Sequence, residues 1–198
     1  MAKLESSLKN MFLSLTLITL GASALLAGGY VLTKEPIEKA DRAKEENAIK
    51  EVLPDKNAEV LEKVEITLEN KADPFIVYPS VKDGKFAGAA VQTYSTEGYG
   101  GRLDIMVGFD TDGTIVNYAV LKANETPGLG AKVTDWFKND SKKTADIRGK
   151  NPATTKVSVS KDGGDIDAIT ASTITSRAFL QSVQLAYEAF QKMQTTKK

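Results

Sequence analysis

The segment Asp167-Ala168-Ile169-Thr170-Ala171-Ser172-Thr173-Ile174-Thr175-Ser176-Arg177 gathers the side chains best placed for chemistry. Small and hydroxyl residues stand directly ahead of a long amphipathic pattern. The first N–H groups of a helix have no partner within it, and its dipole favours negative charge there, so this junction suits a phosphate. A threonine in that position can also carry a phosphate covalently. Ser and Thr ahead of a helix are equally ordinary N-caps, a reading that needs no ligand.

Three further clusters invite the same question. Glu125-Thr126-Pro127-Gly128-Leu129-Gly130 lies between a strand pattern and a short helix pattern. Pro127 pushes Thr126 into extended backbone, Pro-Gly suits a type II turn, and the two glycines let backbone approach a flat ligand. A plain strand-to-helix connection explains the same features. Gly98-Tyr99-Gly100-Gly101 offers an aromatic on a glycine-flanked loop, able to pack on a ligand or simply to sit at the surface. Lys161-Asp162-Gly163-Gly164-Asp165 reads as a tight turn, and Lys161 can neutralise a nearby phosphate.

Composition removes many alternatives. There is no Cys and no His, which excludes thiolate-held iron–sulfur clusters, His-ligated haem, Cys/His zinc sites and Ser-His-Asp triads. A redox role would need an organic cofactor. The 26 basic residues equal the 26 acidic ones, without the basic excess expected of a nucleic-acid binder. Neither a phosphate-loop signature nor G-x-G-x-x-G is present. Asn124-Glu-Thr and Asn139-Asp-Ser fit the N-glycosylation pattern and are taken as accidental.

The elements that must position these residues begin with an anchor. Met11 to Leu32 is uncharged and mostly apolar, long enough to cross a bilayer as a helix. A cleaved signal peptide is the rival, because Ala22-Ser23-Ala24 resembles a small-residue cleavage site, but the apolar run continues past it. Lys3 and Lys9 precede the span, while Lys34, Lys39, Arg42 and Lys44 follow it among acidic residues, so charge does not settle orientation. A helix is predicted from Pro36 to about Val52, closed by Pro54-Asp55. Strands are expected over Val60–Leu68, Phe75–Tyr78, Phe86–Tyr94, Leu103–Val107, Ile115–Leu121 and Thr155–Val159, with turns at Asp83-Gly84 and Asp112-Gly113. Val133–Lys138 fits a short helix with Trp136 and Phe137 on its apolar side. Phe179, Val183, Ala186, Tyr187 and Phe190 form one helical stripe, read as core.

The Asp167–Thr173 segment resembles the flavinylation motif of the FMN-binding subunits of Rnf and Na+-translocating NADH:quinone reductase complexes. In that motif an acidic residue precedes Ser/Thr-Gly-Ala-Thr, and the last Thr is esterified to the phosphate of FMN. Here Asp167 precedes Thr170-Ala171-Ser172-Thr173, with Ala171 in place of Gly and Ser172 in place of Ala. Ala takes positive φ less readily than Gly. Glu125-Thr-Pro-Gly-Leu-Gly matches a signature of the Rnf G-subunit family letter for letter, and Gly98-Tyr-Gly-Gly and Lys161-Asp-Gly-Gly-Asp also match, in the family's order.

The patterns give an α+β fold, a single N-terminal transmembrane helix and then a domain with a twisted, mainly antiparallel sheet and packed helices, and the resemblance implies that this domain binds FMN. It implies residues 1–10 in the cytoplasm, 11–33 across the bacterial inner membrane, 34–56 as a helical stalk and 57–198 as an extracytoplasmic domain. FMN would be joined to Thr173, with Thr175 as second choice, by a separate flavin transferase using FAD and Mg2+. The Glu125–Gly130 loop would bond the flavin's pyrimidine edge, and Leu129 and Tyr99 would cover a face. The expected function is an electron-relay flavoprotein subunit of an ion-translocating ferredoxin:NAD oxidoreductase, in contact with other membrane subunits, lipid and no nucleic acid. A stand-alone membrane-anchored flavoprotein and a non-redox anchored adaptor remain as alternatives.

Overall fold

A computed structural model describes residues 7–69, 71 and 73–196 of the chain. Residues 1–6, including Lys3 and most of the expected cytoplasmic segment, and the terminal lysines lie outside the described residues. The chain divides into two compact units, Met1–Lys44 and Glu45–Lys198.

The first unit is helical. Helix α1 runs over Leu8–Val52 with Pro36 inside it, rather than as a span and a separate stalk helix starting at Pro36. Its apolar stretch leaves Leu13, Leu17, Leu20, Leu25, Leu26 and Leu32 exposed, and it is long and apolar enough to cross a membrane. The hydroxyls of Thr16, Thr19 and Thr33 donate to carbonyls one turn back, so these three are spent within the helix.

The second unit is built on a curled antiparallel sheet. Its strands are β1 (Glu59–Val60), β2 (Val64–Ile66), β3 (Phe75–Lys82), β4 (Lys85–Gly98), β5 (Gly101–Phe109) and β6 (Ile115–Ala123). The order is β1-β3-β4-β5-β6, with β2 also paired to β3. The single strand expected over Val60–Leu68 is thus two short ones, both antiparallel to β3. Three hairpins in succession make the rest a meander, and the turns fall where the sequence puts them. Asp83 and Gly84 both carry positive φ between β3 and β4, and Gly113 does so between β5 and β6.

Alternation decides which face each residue covers. Val77, Val91, Leu103, Ile105, Val107 and Tyr118 point to one face and are buried there. Helix α3 (Thr173–Thr196) lies on that face and contributes Phe179, Val183, Ala186 and Phe190, the stripe expected from its spacing. Tyr78, Ala90, Met106 and Ala119 point the other way, where the last turns of α1 bring Ala48, Ile49 and Val52. With both faces covered, the middle strands carry short buried runs such as Ala89-Ala90-Val91 and Ile105-Met106-Val107 beside their alternating stretches.

Two irregular regions complete the unit. After β6 come a 3-10 turn (Gly130–Lys132) and the one-turn helix α2 (Val133–Trp136). Phe137 stacks on Phe179 with ring centroids 4.5 Å apart, and the Tyr118 hydroxyl donates to the Val133 carbonyl at 2.7 Å. Phe137 is fully buried as expected, whereas Trp136 stays half-exposed. The expected strand over Thr155–Val159 does not form. That stretch keeps its backbone bonds local and makes one parallel bridge, Val159 to Ile166. Val157 and Val159 are nonetheless buried, so alternation reported burial correctly and pairing incorrectly.

Candidate functional site

Three loops meet at one end of the sheet. The β4–β5 hairpin tip holds Tyr99 and Gly100; the exit of β6 leads into Glu125–Gly130; and α3 begins at Thr173. Helix α3 is fixed against β4 by polar contacts two to three turns past its start. The Thr93 hydroxyl donates to the Ser182 carbonyl at 3.1 Å, and the Ser95 hydroxyl donates to Gln181 Oε1 at 2.8 Å.

Glu125 ties the three loops together. Its Oε1 accepts from the Gly100 N–H at 3.2 Å, and its Oε2 accepts from the Thr175 hydroxyl at 2.9 Å. Gly130 makes room for this carboxylate: a Cβ there would lie 2.3 Å from Glu125 Oε2. The intervening loop is the turn expected from Pro-Gly. The Leu129 N–H donates to the Thr126 carbonyl at 3.1 Å, and Gly128 sits at φ 76°.

The Ile169–Ser172 stretch makes a second turn. The Ser172 N–H donates to the Ile169 carbonyl at 3.0 Å, and Ala171 takes φ 61°. The left-handed conformation that the resemblance assigns to glycine is therefore adopted here by alanine. Ser176, fully buried, locks this turn to the helix: its hydroxyl accepts from the Ile169 N–H at 2.9 Å and donates to the Ser172 carbonyl at 2.9 Å. Thr173 follows as the first residue of α3 and is partly exposed. Thr175 is buried and its hydroxyl is spent on Glu125.

Two cavities flank Thr173. One, of about 510 Å³, is lined by Tyr99, Glu125, Thr126, Leu129, Gly130 and the Ala171–Thr175 stretch. Its apolar parts are unusually open: Tyr99 is 71%, Ile174 51% and Leu129 41% exposed. The other, of about 770 Å³, is lined among others by Trp136, Lys142, Lys143, Lys161, Asp167 and Thr170. Only Ala171 and Thr173 line both.

The residues expected from sequence thus divide. Tyr99, Glu125, Thr126, Leu129, Gly130, Ser172 and Thr175 belong to the smaller cavity, while Lys161, Asp167 and Thr170 belong to the larger. Gly128 lines neither and shapes the turn. Sequence reasoning missed Ile174, although its position off the apolar stripe of α3 signals an outward apolar residue. It also missed Ser176, Trp136, Lys142 and Lys143, the last three brought in by α2 and the loop after it, which carry no motif of their own.

Electrostatics around the site rest on two arginines and three ion pairs. Arg177 donates to both oxygens of Asp162, at 2.7 and 2.8 Å, and holds that carboxyl below its usual range. Arg148 pairs with Asp146 and with Asp140, each within 2.6 Å. Among the described residues no group of Asp and Glu could hold a metal ion.

Residues 98–188 match the model of the FMN-binding domain, a stretch that takes in all three loops and most of α3. The chain is 32% identical over 192 residues to the G-subunit of the ion-translocating oxidoreductase complex of Aliivibrio fischeri, covering 91% of this chain and 89% of that protein. It is 34% identical over 145 residues to the G-subunit of the Na(+)-translocating ferredoxin:NAD(+) oxidoreductase complex of Acetobacterium woodii, covering 72% and 68%. With the corresponding G-subunit of Salmonella typhi it shares 40% identity over 114 residues, 56% of this chain and 53% of that one. Coverage of nearly the whole length at this identity, with an FMN-binding domain placed over the three convergent loops, means that this chain belongs to the G-subunit family of ion-translocating oxidoreductase complexes.

Proposed function

We propose that this protein is a membrane-anchored electron-relay subunit of an ion-translocating, Rnf-type oxidoreductase complex, and that it carries FMN esterified to Thr173. The observation that carries the proposal is the place of Thr173, a partly exposed hydroxyl at the start of α3 on the wall of an open, apolar-rimmed cavity.

The residues present fit the cofactor. A volume of about 510 Å³ falls in the roughly 300–1,000 Å³ range of small-molecule sites. Tyr99, Leu129 and Ile174 offer apolar surface for a flat ring, and Glu125 holds the loops that carry Tyr99 and Leu129 in register. FMN, when bound, supplies the electron storage that a chain without Cys or His lacks. The N–H groups of the first turn of α3 would hold the phosphate, and the helix dipole would favour its charge. Asp167, Thr170, Ala171 and Ser172 form the turn a transferase would read, Thr126 and Gly130 line the cavity that would take the ring, and Gly128 shapes the turn that carries them. Thr175 is set aside as acceptor because its hydroxyl is buried and bonded to Glu125.

Attachment balances as a transfer. Thr173 Oγ1 forms the new bond to phosphorus as the P–O–P link of FAD breaks, AMP leaves with the bonding pair, and the hydroxyl proton passes to solvent. A poor nucleophile such as threonine needs activation, so a separate transferase with Mg2+ supplies it. On this reading residues 1–10 are cytoplasmic, 11–33 span the membrane, 34–56 form a stalk and 57–198 lie outside the cytoplasm beside the other subunits. The test is expression with and without a flavin transferase, followed by a denaturing gel viewed under ultraviolet light. A fluorescent band that needs the transferase and vanishes in Thr173→Val is expected; a band that survives in Thr173→Val contradicts the assignment.

A further inference from the structure

The larger cavity has chemistry opposite to the smaller one. Lys142, Lys143 and Lys161 line it, and among the described residues none of the three joins an ion pair. Of its two carboxylates, Asp140 pairs with Arg148 at 2.5 Å, while Asp167 accepts only from the neutral Ser160 hydroxyl at 3.1 Å and keeps its charge, so three ammonium groups stand against one such carboxylate. The cavity is therefore left with ammonium groups in excess.

It also has an anchored aromatic wall. Trp136 Nε1 donates to the Asp167 carbonyl at 3.0 Å, which fixes the indole against the acceptor segment. The Lys142 ammonium lies 4.0 Å from the indole centroid, so apolar surface and positive charge come together. The hydroxyls of Thr144 and Thr170 stand in the same lining. Surplus ammonium groups, a fixed ring and hydroxyls fit an anion that itself carries a flat ring.

We infer that the cavity between Trp136 and the Thr170–Ala171 turn is a binding site for a nucleoside monophosphate, held by Lys143 and Lys161 with its base toward the Trp136–Lys142 wall. This deepens the reading of Thr173 as acceptor and rests on it for its biological meaning. Thr173 and Ala171 line both cavities, so a phosphate in the basic one abuts the hydroxyl that faces the apolar-rimmed one. A dinucleotide lying across Thr173 places its flavin half on one side and its nucleotide half, the leaving group, on the other.

The molecule carries its own probe, because Trp136 is the sole tryptophan. The experiment titrates AMP into the full chain, made without a transferase and held in detergent, while following tryptophan emission and the heat of binding. A saturable signal is expected, weakened by salt and about tenfold weaker in the Lys143→Gln/Lys161→Gln double variant. Adenosine without phosphate gives none, and inorganic phosphate competes only at far higher concentration. A titration silent in both readouts, an unchanged affinity in the double variant, or inorganic phosphate binding as well as AMP each overturns the inference. The two readings fail separately. Covalent flavin on Thr173 without AMP binding removes the pocket alone, and AMP binding without covalent flavin after co-expression removes the acceptor assignment alone.

Discussion

Ala171 is the residue at which the Ile169–Ser172 turn is strained. Its φ of 61° lies in the left-handed region, where an L-residue is disfavoured by roughly 1–2 kcal/mol. Ala171→Gly removes that cost but frees the unfolded chain, which takes back roughly 0.4–1 kcal/mol. The side chain is exposed, so little packing is lost with it. The net expectation is a gain of about 0.5–1 kcal/mol, a rise in Tm of about 1–4 °C for a domain of this size. The assay is thermal unfolding of the unmodified full chain in detergent, followed by far-ultraviolet circular dichroism, with Ala171→Val alongside. Valine is β-branched and should lower the Tm, because positive φ crowds its branch. A Gly variant with an unchanged or lower Tm would refute the reasoning, since it would mean that the turn does not hold Ala171 in the left-handed region.

Three other outcomes follow from the same geometry. Glu125→Ala removes two bonds to a charged acceptor and frees the Tyr99 loop, at a cost of about 2–4 kcal/mol by denaturant unfolding, whereas Gly130→Ala should act in the same direction by pushing the carboxylate from Thr175. Phe179→Ala empties a fully buried site stacked on Phe137 and should cost about 3–5 kcal/mol in the same assay. Burial pushes the Asp146 carboxyl up, but its bonds from Arg148 outweigh this and hold it below the ordinary carboxylate value. A lowered carboxyl stabilises the fold above its unfolded value, and that contribution is lost as pH falls through the folded value, so the loss belongs below about pH 4. Arg148→Met should cost about 1–2 kcal/mol at neutral pH and show a shallower acid limb, read from unfolding midpoints between about pH 7 and pH 2.5.

Much of the fold was legible because the strands alternate and their turns carry residues that tolerate positive φ. Leu103, Ile105 and Val107 occupy one face as their spacing requires, and Asp83-Gly84 reverses the chain between β3 and β4. The stripe from Phe179 to Phe190 fixed the core face of α3 for the same reason. Pairing was less legible than burial. Val157 and Val159 are buried without a strand, because local turns around Asn151 and Ser158 consume the backbone groups that a ladder would use. Pro36 reads as a helix start, yet α1 passes through it, since neighbouring turns can hold a helix that has lost one bond. At the candidate site, Tyr99, Glu125 and Leu129 were visible as motifs. Lys142 and Lys143 were not, because nothing in their spacing says that the loop after α2 folds back on Asp167. Glu125 was expected beside a ligand, but its bonds across three loops arise only from tertiary contact.

The covalent flavin is tested most directly by peptide mass spectrometry on protein purified from its native membranes. The predicted result is a peptide containing Thr173 that carries one FMN through a phosphoester, while a fragment isolating Thr175 carries none. A colourless preparation in which the Thr173 peptide has its unmodified mass would contradict it.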